Sequence, residues 1–180
     1  MFIKCEETPN PNTLKFIVED IKISDIATHF DREDACTESP LAQHLFKIKE
    51  ISSVLLGEHF VSITKCATKE WEEIRTGILA SLIDFFHSKQ QSIITTNKPE
   101  KKELSSVEKE IVDVIRTKVR PHVAQDGGDV VFHEFKDNVV YLKLQGACKG
   151  CPSAVITLKQ GIENMLKHYI PEVKSVEQIF

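Results

Sequence analysis

A polar segment in the middle of the chain separates two parts that each have their own apolar pattern. Residues 88–104 read SKQQSIITTNKPEKKEL, with four lysines and one proline. This composition is typical of an interdomain linker. A chain of 180 residues is long enough for two small domains. We therefore predict an α+β fold class, with two small α+β domains over residues 1–87 and 105–180 joined by a flexible linker over residues 88–104.

The first part predicts strands, a helix, a hairpin and a second helix. Residues 14–18 predict a strand, and Ser39-Pro40 predicts the N-cap and first position of a helix that continues to Ile48. Gly57-Glu58-His59 separates two apolar runs, which is typical of a hairpin. The second helix is predicted from apolar residues at helical spacing: Trp71, Ile74, Ile78, Leu82 and Phe85.

The second part predicts the order α-β-β-(Cys loop)-α-β. Ser105-Ser106-Val107-Glu108 has the pattern of a capping box, and the helix that it opens is predicted to end near Pro121. Lys136-Asp137-Asn138 predicts the turn between the first two strands. The two strands and the last strand are predicted at residues 130–134, 139–144 and 173–176. The second helix is predicted from apolar residues at helical spacing: Val155, Leu158, Ile162, Met165 and Tyr169.

The sequence Asp126-Gly127-Gly128-Asp129 precedes the first of these strands. Two carboxylates so close together are one pattern for a site that binds a hard metal ion. The alternative is a tight turn in which the glycines supply a positive φ. We favour the turn.

A Cys-x-x-Cys loop is the feature that carries chemistry. Residues 146–153 read GACKGCPS, so Cys148 and Cys151 lie within reach of one metal centre. The glycines let the backbone bend, and we expect them to leave both sulfurs uncovered. Pro152 suits the first position of the following helix, and the positive end of that helix favours thiolates.

Counting the cysteines extends this prediction. The other three cysteines, Cys5, Cys36 and Cys66, are scattered and are expected to be packing residues. A closed zinc site or an iron–sulfur cluster usually has four protein ligands. Two chains with two ligands each satisfy that number, which predicts a homodimer bridged by a centre such as a [4Fe–4S] cluster. A structural zinc site and a thiol–disulfide exchanger remain open as alternatives.

Charge and composition exclude several classes of function. Residues 1–87 carry nine Lys/Arg and fifteen Asp/Glu, and residues 105–180 carry ten of each. Neither part has the basic excess that binding to nucleic acid requires. The apolar runs are too short to cross a membrane. Because the cysteines have no evident pairing, we expect a reducing compartment, namely the bacterial cytoplasm, or the mitochondrial matrix if a presequence has been removed.

Several motifs resemble a known family. The second part resembles the NifU C-terminal-like domain in its Cys loop and in three further motifs: Arg120-Pro121, Asp126-Gly127-Gly128-Asp129 and Pro171-Glu172-Val173. The first part resembles the Nfu N-terminal domain in two motifs, Thr8-Pro9-Asn10-Pro11-Asn12-Thr13-Leu14-Lys15-Phe16 and Ser39-Pro40-Leu41-Ala42. Together the two matches cover the chain apart from the linker.

This resemblance implies an iron–sulfur cluster carrier of the Nfu type rather than an enzyme. The implied ligands are Cys148 and Cys151, which would hold a labile [4Fe–4S] cluster between two subunits. The implied partners are upstream scaffold proteins and apo-enzymes such as lipoyl synthase, aconitase-type enzymes and respiratory-complex subunits. The N-terminal domain, which has no cysteine pair, would have a targeting or modulating role.

Overall fold

The computed structural model of the chain describes residues 2–32, 39–88, 104–149 and 152–179. It divides into two compact units, Met1–Lys98 and Pro99–Phe180. Both units contain helices and sheets, so the predicted α+β class is confirmed. The segment predicted to be a linker lies largely outside the described residues, as do Cys36 and Cys151.

The N-terminal unit contains a five-stranded antiparallel sheet and two helices. Its strands have the spatial order β1-β2-β5-β4-β3, and β4 and β5 form the predicted hairpin. In chain order the elements are β1 (Ile3–Glu7), β2 (Thr13–Val18), β3 (Thr28–Asp31), α1 (Pro40–Leu45), β4 (Ile51–Leu56), β5 (Phe60–Lys65) and α2 (Trp71–His87).

The helices of this unit begin and pack largely as predicted. The Ser39 side chain accepts a hydrogen bond from the backbone N–H of Ala42 and so caps α1. That helix ends at Leu45, earlier than predicted. Phe46 and Ile48 lie instead in the turns that connect α1 to β4. Helix α2 buries four predicted residues, Ile74, Ile78, Leu82 and Phe85. They share one core with buried residues of the sheet and of α1.

The C-terminal unit packs helices against a three-stranded sheet of order β6-β7-β8. Its elements are α3 (Ser106–Val114), a π-helical segment (Ile115–Val119), α4 (Arg120–Gln125), β6 (Gly128–Lys136), β7 (Val139–Gly146), α5 (Pro152–Tyr169) and β8 (Ser175–Ile179). Asp137 and Asn138 both have a positive φ in the tight turn between β6 and β7. Strand β8 pairs in parallel with β7, and α5 is the crossover between them.

The prediction that the first helix of this unit ends near Pro121 is wrong. The helical backbone continues to Gln125 through the π-helical segment, in which the N–H of Arg120 bonds to the carbonyl of Ile115. Proline lacks an N–H and its ring crowds the carbonyl four residues earlier. A π-helical turn widens the helix just before this proline, which lets the chain continue instead of stopping.

One core fills the space between the helices and the sheet of the C-terminal unit. Helix α5 contributes Ile162 and Leu166, and Ile170 follows directly after the helix; all three are at most 3% exposed. Tyr169, predicted to lie on the apolar stripe of that helix, is half exposed, and the next residue, Ile170, is buried instead. The side chain of Cys148 belongs to the same buried cluster. The core of this unit therefore reaches the predicted metal-binding loop.

Candidate metal centre

The loop that carries Cys148 lies at one end of the β6-β7 pair. Strand β7 ends at Gly146, residues 147–149 form a turn, and α5 begins at Pro152, as predicted. Gly146 has a φ of 62°, a conformation that costs glycine little and other residues much more. The loop therefore leaves the sheet through a bend that glycine makes possible.

Backbone hydrogen bonds tie this loop to the turn that precedes β6. The N–H of Ala147 donates to the carbonyl of Gly127 at 3.1 Å, and the N–H of Lys149 donates to the carbonyl of Gly146 at 3.0 Å. Gly127 has the positive φ of 75° that we predicted for this turn. In the sheet, Gly128 pairs directly with Gly146. The two glycine turns consequently form one connected structure around the cysteine.

Our expectation that both sulfurs are uncovered is wrong for Cys148, whose residue is only 5% exposed. Its Sγ lies beside the Cα of Gly128, where a Cβ on that glycine would overlap it. The small residues of the loop thus allow close packing around this thiol instead of exposing it. Cys151 lies outside the described residues, so its role as a ligand stays a prediction.

The carboxylate of Asp129 forms an ion pair with Arg120. Nε and Nη2 of the guanidinium donate to the two carboxylate oxygens, each at 2.7 Å. The Asp129 side chain is 3% exposed and that of Arg120 is 29% exposed. Both carboxylate oxygens thus serve a bidentate pair, an arrangement that combines charge and geometry. This partner supports the turn interpretation of Asp126-Gly127-Gly128-Asp129 over a hard-metal site.

Two of the other cysteines belong to the N-terminal unit, in partly buried positions. Cys5 lies on β1 and packs against the core. Burial raises the pKa of the Cys5 thiol, and the nearby Arg75 guanidinium offsets part of that rise. Cys66 follows β5 and is likewise a free thiol. Within the described ranges, no three His, Cys, Asp or Glu side chains are grouped as metal ligands.

Two features of this site were missed in the sequence. The contact between Gly128 and Cys148 joins residues twenty positions apart, and the Arg120–Asp129 pair joins residues from a helix and a strand. The sequence analysis singled out the motifs that contain Arg120 and Asp129. It did not predict that these two residues pair, because oppositely charged residues nine positions apart have no local signature of contact.

Comparison with known proteins identifies the family. Residues 3–89 match the family described as the scaffold protein Nfu/NifU N terminal, and residues 111–177 match the NifU-like domain. A human protein named "NFU1 iron-sulfur cluster scaffold homolog, mitochondrial" is 42% identical to the chain over 184 residues, which cover 99% of this chain and 72% of the human protein. The chain belongs to the Nfu family. The resemblance drawn from its motifs is thereby confirmed.

Other relatives of this Nfu-family chain carry the same description. A Drosophila erecta protein with that name is 40% identical over 189 residues, which cover all of this chain and 65% of the fly protein. The chain thus spans about two thirds of the length of such insect relatives. A solved structure of a NifU-like protein from Saccharomyces cerevisiae has 25% identity and a TM-score of 0.48, over 54% of this chain and 87% of that one.

No helix in the described parts of this Nfu-family chain combines the length and the apolar composition that a membrane span requires.

Proposed function

We propose that this chain is an iron–sulfur cluster carrier that holds a [4Fe–4S] cluster between two copies of itself and passes it to apo-enzymes. The observation that carries the proposal is the Cys148 loop, built between two glycine turns at the end of the β6-β7 pair. The names of the human and Drosophila relatives, which describe cluster scaffolds, support it.

The number of thiol ligands supports a cluster shared by two chains. The C-terminal unit has two cysteines, Cys148 and Cys151, and a [4Fe–4S] cluster takes four thiolate ligands. Cys5 and Cys66 belong to the other unit, where they lie partly buried on β1 and just after β5. Two C-terminal units related by a twofold axis would supply the four ligands, because such an axis brings the same residues of both chains together.

The electrostatic setting of the loop favours an anionic, thiolate-bound cargo. Helix α5 begins at Pro152, directly after the loop, and is 18 residues long. Its first N–H groups and the positive end of its dipole stabilise negative charge near its N-terminus. Lys149, between the two cysteines, is exposed to solvent and adds a positive charge beside the cargo.

Release of the cluster follows from the same arrangement. Each chain supplies only two ligands, so separation of the two chains leaves two of the four iron atoms without a thiolate ligand and opens them to thiols of a recipient. We propose apo iron–sulfur enzymes as recipients, including lipoyl synthase, aconitase-type enzymes and respiratory-complex subunits, and an upstream scaffold as donor. The protein acts as a carrier and not as an enzyme in this proposal.

The names of the relatives bear on the proposed compartment. Both are named as mitochondrial proteins, which favours the mitochondrial matrix, our alternative location, over the bacterial cytoplasm. Either compartment keeps thiols reduced, as ligands for iron require.

The proposal is tested by transfer under anaerobic conditions. Cluster-loaded chain is mixed with apo-aconitase in the presence of an iron chelator, and aconitase activity is followed over time. We expect faster activation than with equal amounts of free iron and sulfide, because a chelator removes free iron but not a cluster passed directly between proteins. If the loaded chain kept its cluster in the presence of excess apo-aconitase and of excess apo-lipoyl synthase, it would instead be a storage or electron-transfer protein.

A further inference from the structure

We propose that Gly128 is a positioning residue for Cys148: the absence of a side chain at residue 128 leaves the space that the Cys148 sulfur occupies. The inference rests on the proposed function in one respect, namely that Cys148 is a cluster ligand. It assigns to the start of β6 a role in setting where that ligand lies.

The first observation is steric. A Cβ placed on Gly128 would overlap the Sγ of Cys148, and would lie 3.2 Å from the Cβ of Cys148 and 3.2 Å from the carbonyl oxygen of Gln145. Gly127, beside it, has a positive φ, whereas Gly128 does not adopt the left-handed conformation that disfavours side chains. The backbone conformation of residue 128 would therefore accept alanine. The severe overlap is with the cysteine sulfur, whereas the two contacts of 3.2 Å, to the Cβ of Cys148 and the carbonyl oxygen of Gln145, would need shifts of only a few tenths of an ångström.

The second observation is that Gly128 is held from both sides. It pairs with Gly146 across the sheet, and the next residue, Asp129, is buried and engaged by Arg120 through two hydrogen bonds of 2.7 Å. Moving the start of β6 away from the sulfur would strain this bidentate pair. When a side chain is added at residue 128, the less costly response is a change in the χ1 rotamer of Cys148.

A displaced sulfur has a measurable consequence in the protein without any cluster. Cys148 is 5% exposed, so its thiol reacts with an alkylating reagent only when the loop opens. A rotamer that carries the sulfur out of the space beside Gly128 would expose it and raise the rate of reaction. The same displacement would move one ligand from its place at the cluster.

The test compares Gly128→Ala with Gly161→Ala in the full chain. Gly161 lies within α5, and a Cβ there would meet nothing within 4 Å, so this variant controls for the substitution itself. Alkylation of Cys148 by iodoacetamide is followed by peptide mass spectrometry on reduced apo-protein, with folding checked by circular dichroism. We expect about tenfold faster alkylation in Gly128→Ala, and a rate close to wild type in Gly161→Ala.

A second variant keeps the proposal open to contradiction if Gly128→Ala does not fold. Asp129→Asn preserves the shape of the side chain, does not alter Cys148 or Gly128 directly, and removes the charge that Arg120 engages. We expect it also to accelerate alkylation of Cys148. A folded Gly128→Ala protein that is alkylated at the wild-type rate would overturn the proposal. If Gly128→Ala does not fold, a wild-type alkylation rate in Asp129→Asn would overturn it.

Cluster retention gives a readout that separates this inference from the proposed function. In loaded protein, iron extraction by a chelator should be several-fold faster for Gly128→Ala than for Gly161→Ala, because one ligand is displaced. If the wild-type chain bound no cluster at all, the proposed function would fail, while the alkylation rates would still decide whether Gly128 positions the sulfur.

Discussion

Arg120 and Asp129 form a bidentate ion pair in which the carboxylate is buried and the guanidinium is partly exposed. The pair joins the first residue of α4 to the second residue of β6, directly beside the residue that contacts Cys148. It therefore ties the helical part of the C-terminal unit to the strand that packs against the Cys148 loop.

Removal of the cation is expected to destabilise this unit strongly. Arg120→Met leaves the Asp129 carboxylate buried without its charged partner, which should lower the free energy of unfolding by about 3 kcal/mol. Urea denaturation followed by circular dichroism measures the change. Arg116→Met is the matched control, because Arg116 pairs with Asp113 at an exposed site and should cost about 0.5 kcal/mol or less. Equal effects of the two variants would contradict the structural role of the Arg120–Asp129 pair.

The ligand assignment predicts a clear division among the cysteines. Cys148→Ala and Cys151→Ala should each abolish cluster binding, because one substitution removes two of the four ligands in a symmetric dimer. Cys5→Ala and Cys66→Ala should retain it, because both residues lie in the N-terminal unit. Iron and sulfide per chain, measured on anaerobically reconstituted protein, give the answer. A folded Cys66→Ala protein without its cluster would refute this assignment.

The burial of Cys148 bears on the alternative of thiol–disulfide exchange. A dedicated exchanger exposes a thiolate for attack, whereas Cys148 is 5% exposed. We therefore expect the apo-protein to reduce insulin with dithiothreitol no faster than dithiothreitol alone, as followed by turbidity. Efficient turnover would favour the exchanger over the cluster carrier.

Acid should weaken one connection within the C-terminal unit. Glu163 on α5 accepts hydrogen bonds from the Lys167 ammonium and from the Val176 N–H, and these two bonds hold the pKa of its carboxyl below the usual glutamate value. A lowered pKa in the folded state stabilises the protein above the pKa of the unfolded state, and this contribution is lost as pH falls through the folded pKa.

The matching variant is Glu163→Gln. At neutral pH it should be less stable than wild type, by about 1 kcal/mol or less because Lys167 is partly exposed. The difference should vanish once the pH is below the folded pKa of Glu163. Urea unfolding midpoints of both proteins across this range test the prediction, and a difference that persisted in acid would show that the carboxylate charge is not its source.

The sequence predicted elements that have local signatures. Ser39 and Ser105 mark two helix starts because their side chains cap the first turn, and Asp137-Asn138 marks a tight turn because both residues tolerate a positive φ. Strand β3 was missed because its sequence, Thr28–Asp31, is short and polar, and it is defined by pairing with the distant β4.

In the candidate site, too, features with a local sequence signature were predicted, and features that depend on pairing of distant residues were not. Cys148 could be selected from its spacing to Cys151, whereas its burial against Gly128 depends on the pairing of β6 with β7. The helix that continues past Pro121 was missed because local preference places a helix end there, and a π-helical turn overrode that preference. The assignment of Cys148 and Cys151 as the ligands stays a prediction.

Native mass spectrometry of anaerobically reconstituted protein decides whether two chains share one cluster. We expect a species of two chains and one [4Fe–4S] cluster, equal to two iron atoms per chain, which Mössbauer spectroscopy should identify as that cluster type. A single chain with tightly bound zinc, or one without iron after reconstitution, would contradict a cluster shared through Cys148 and Cys151.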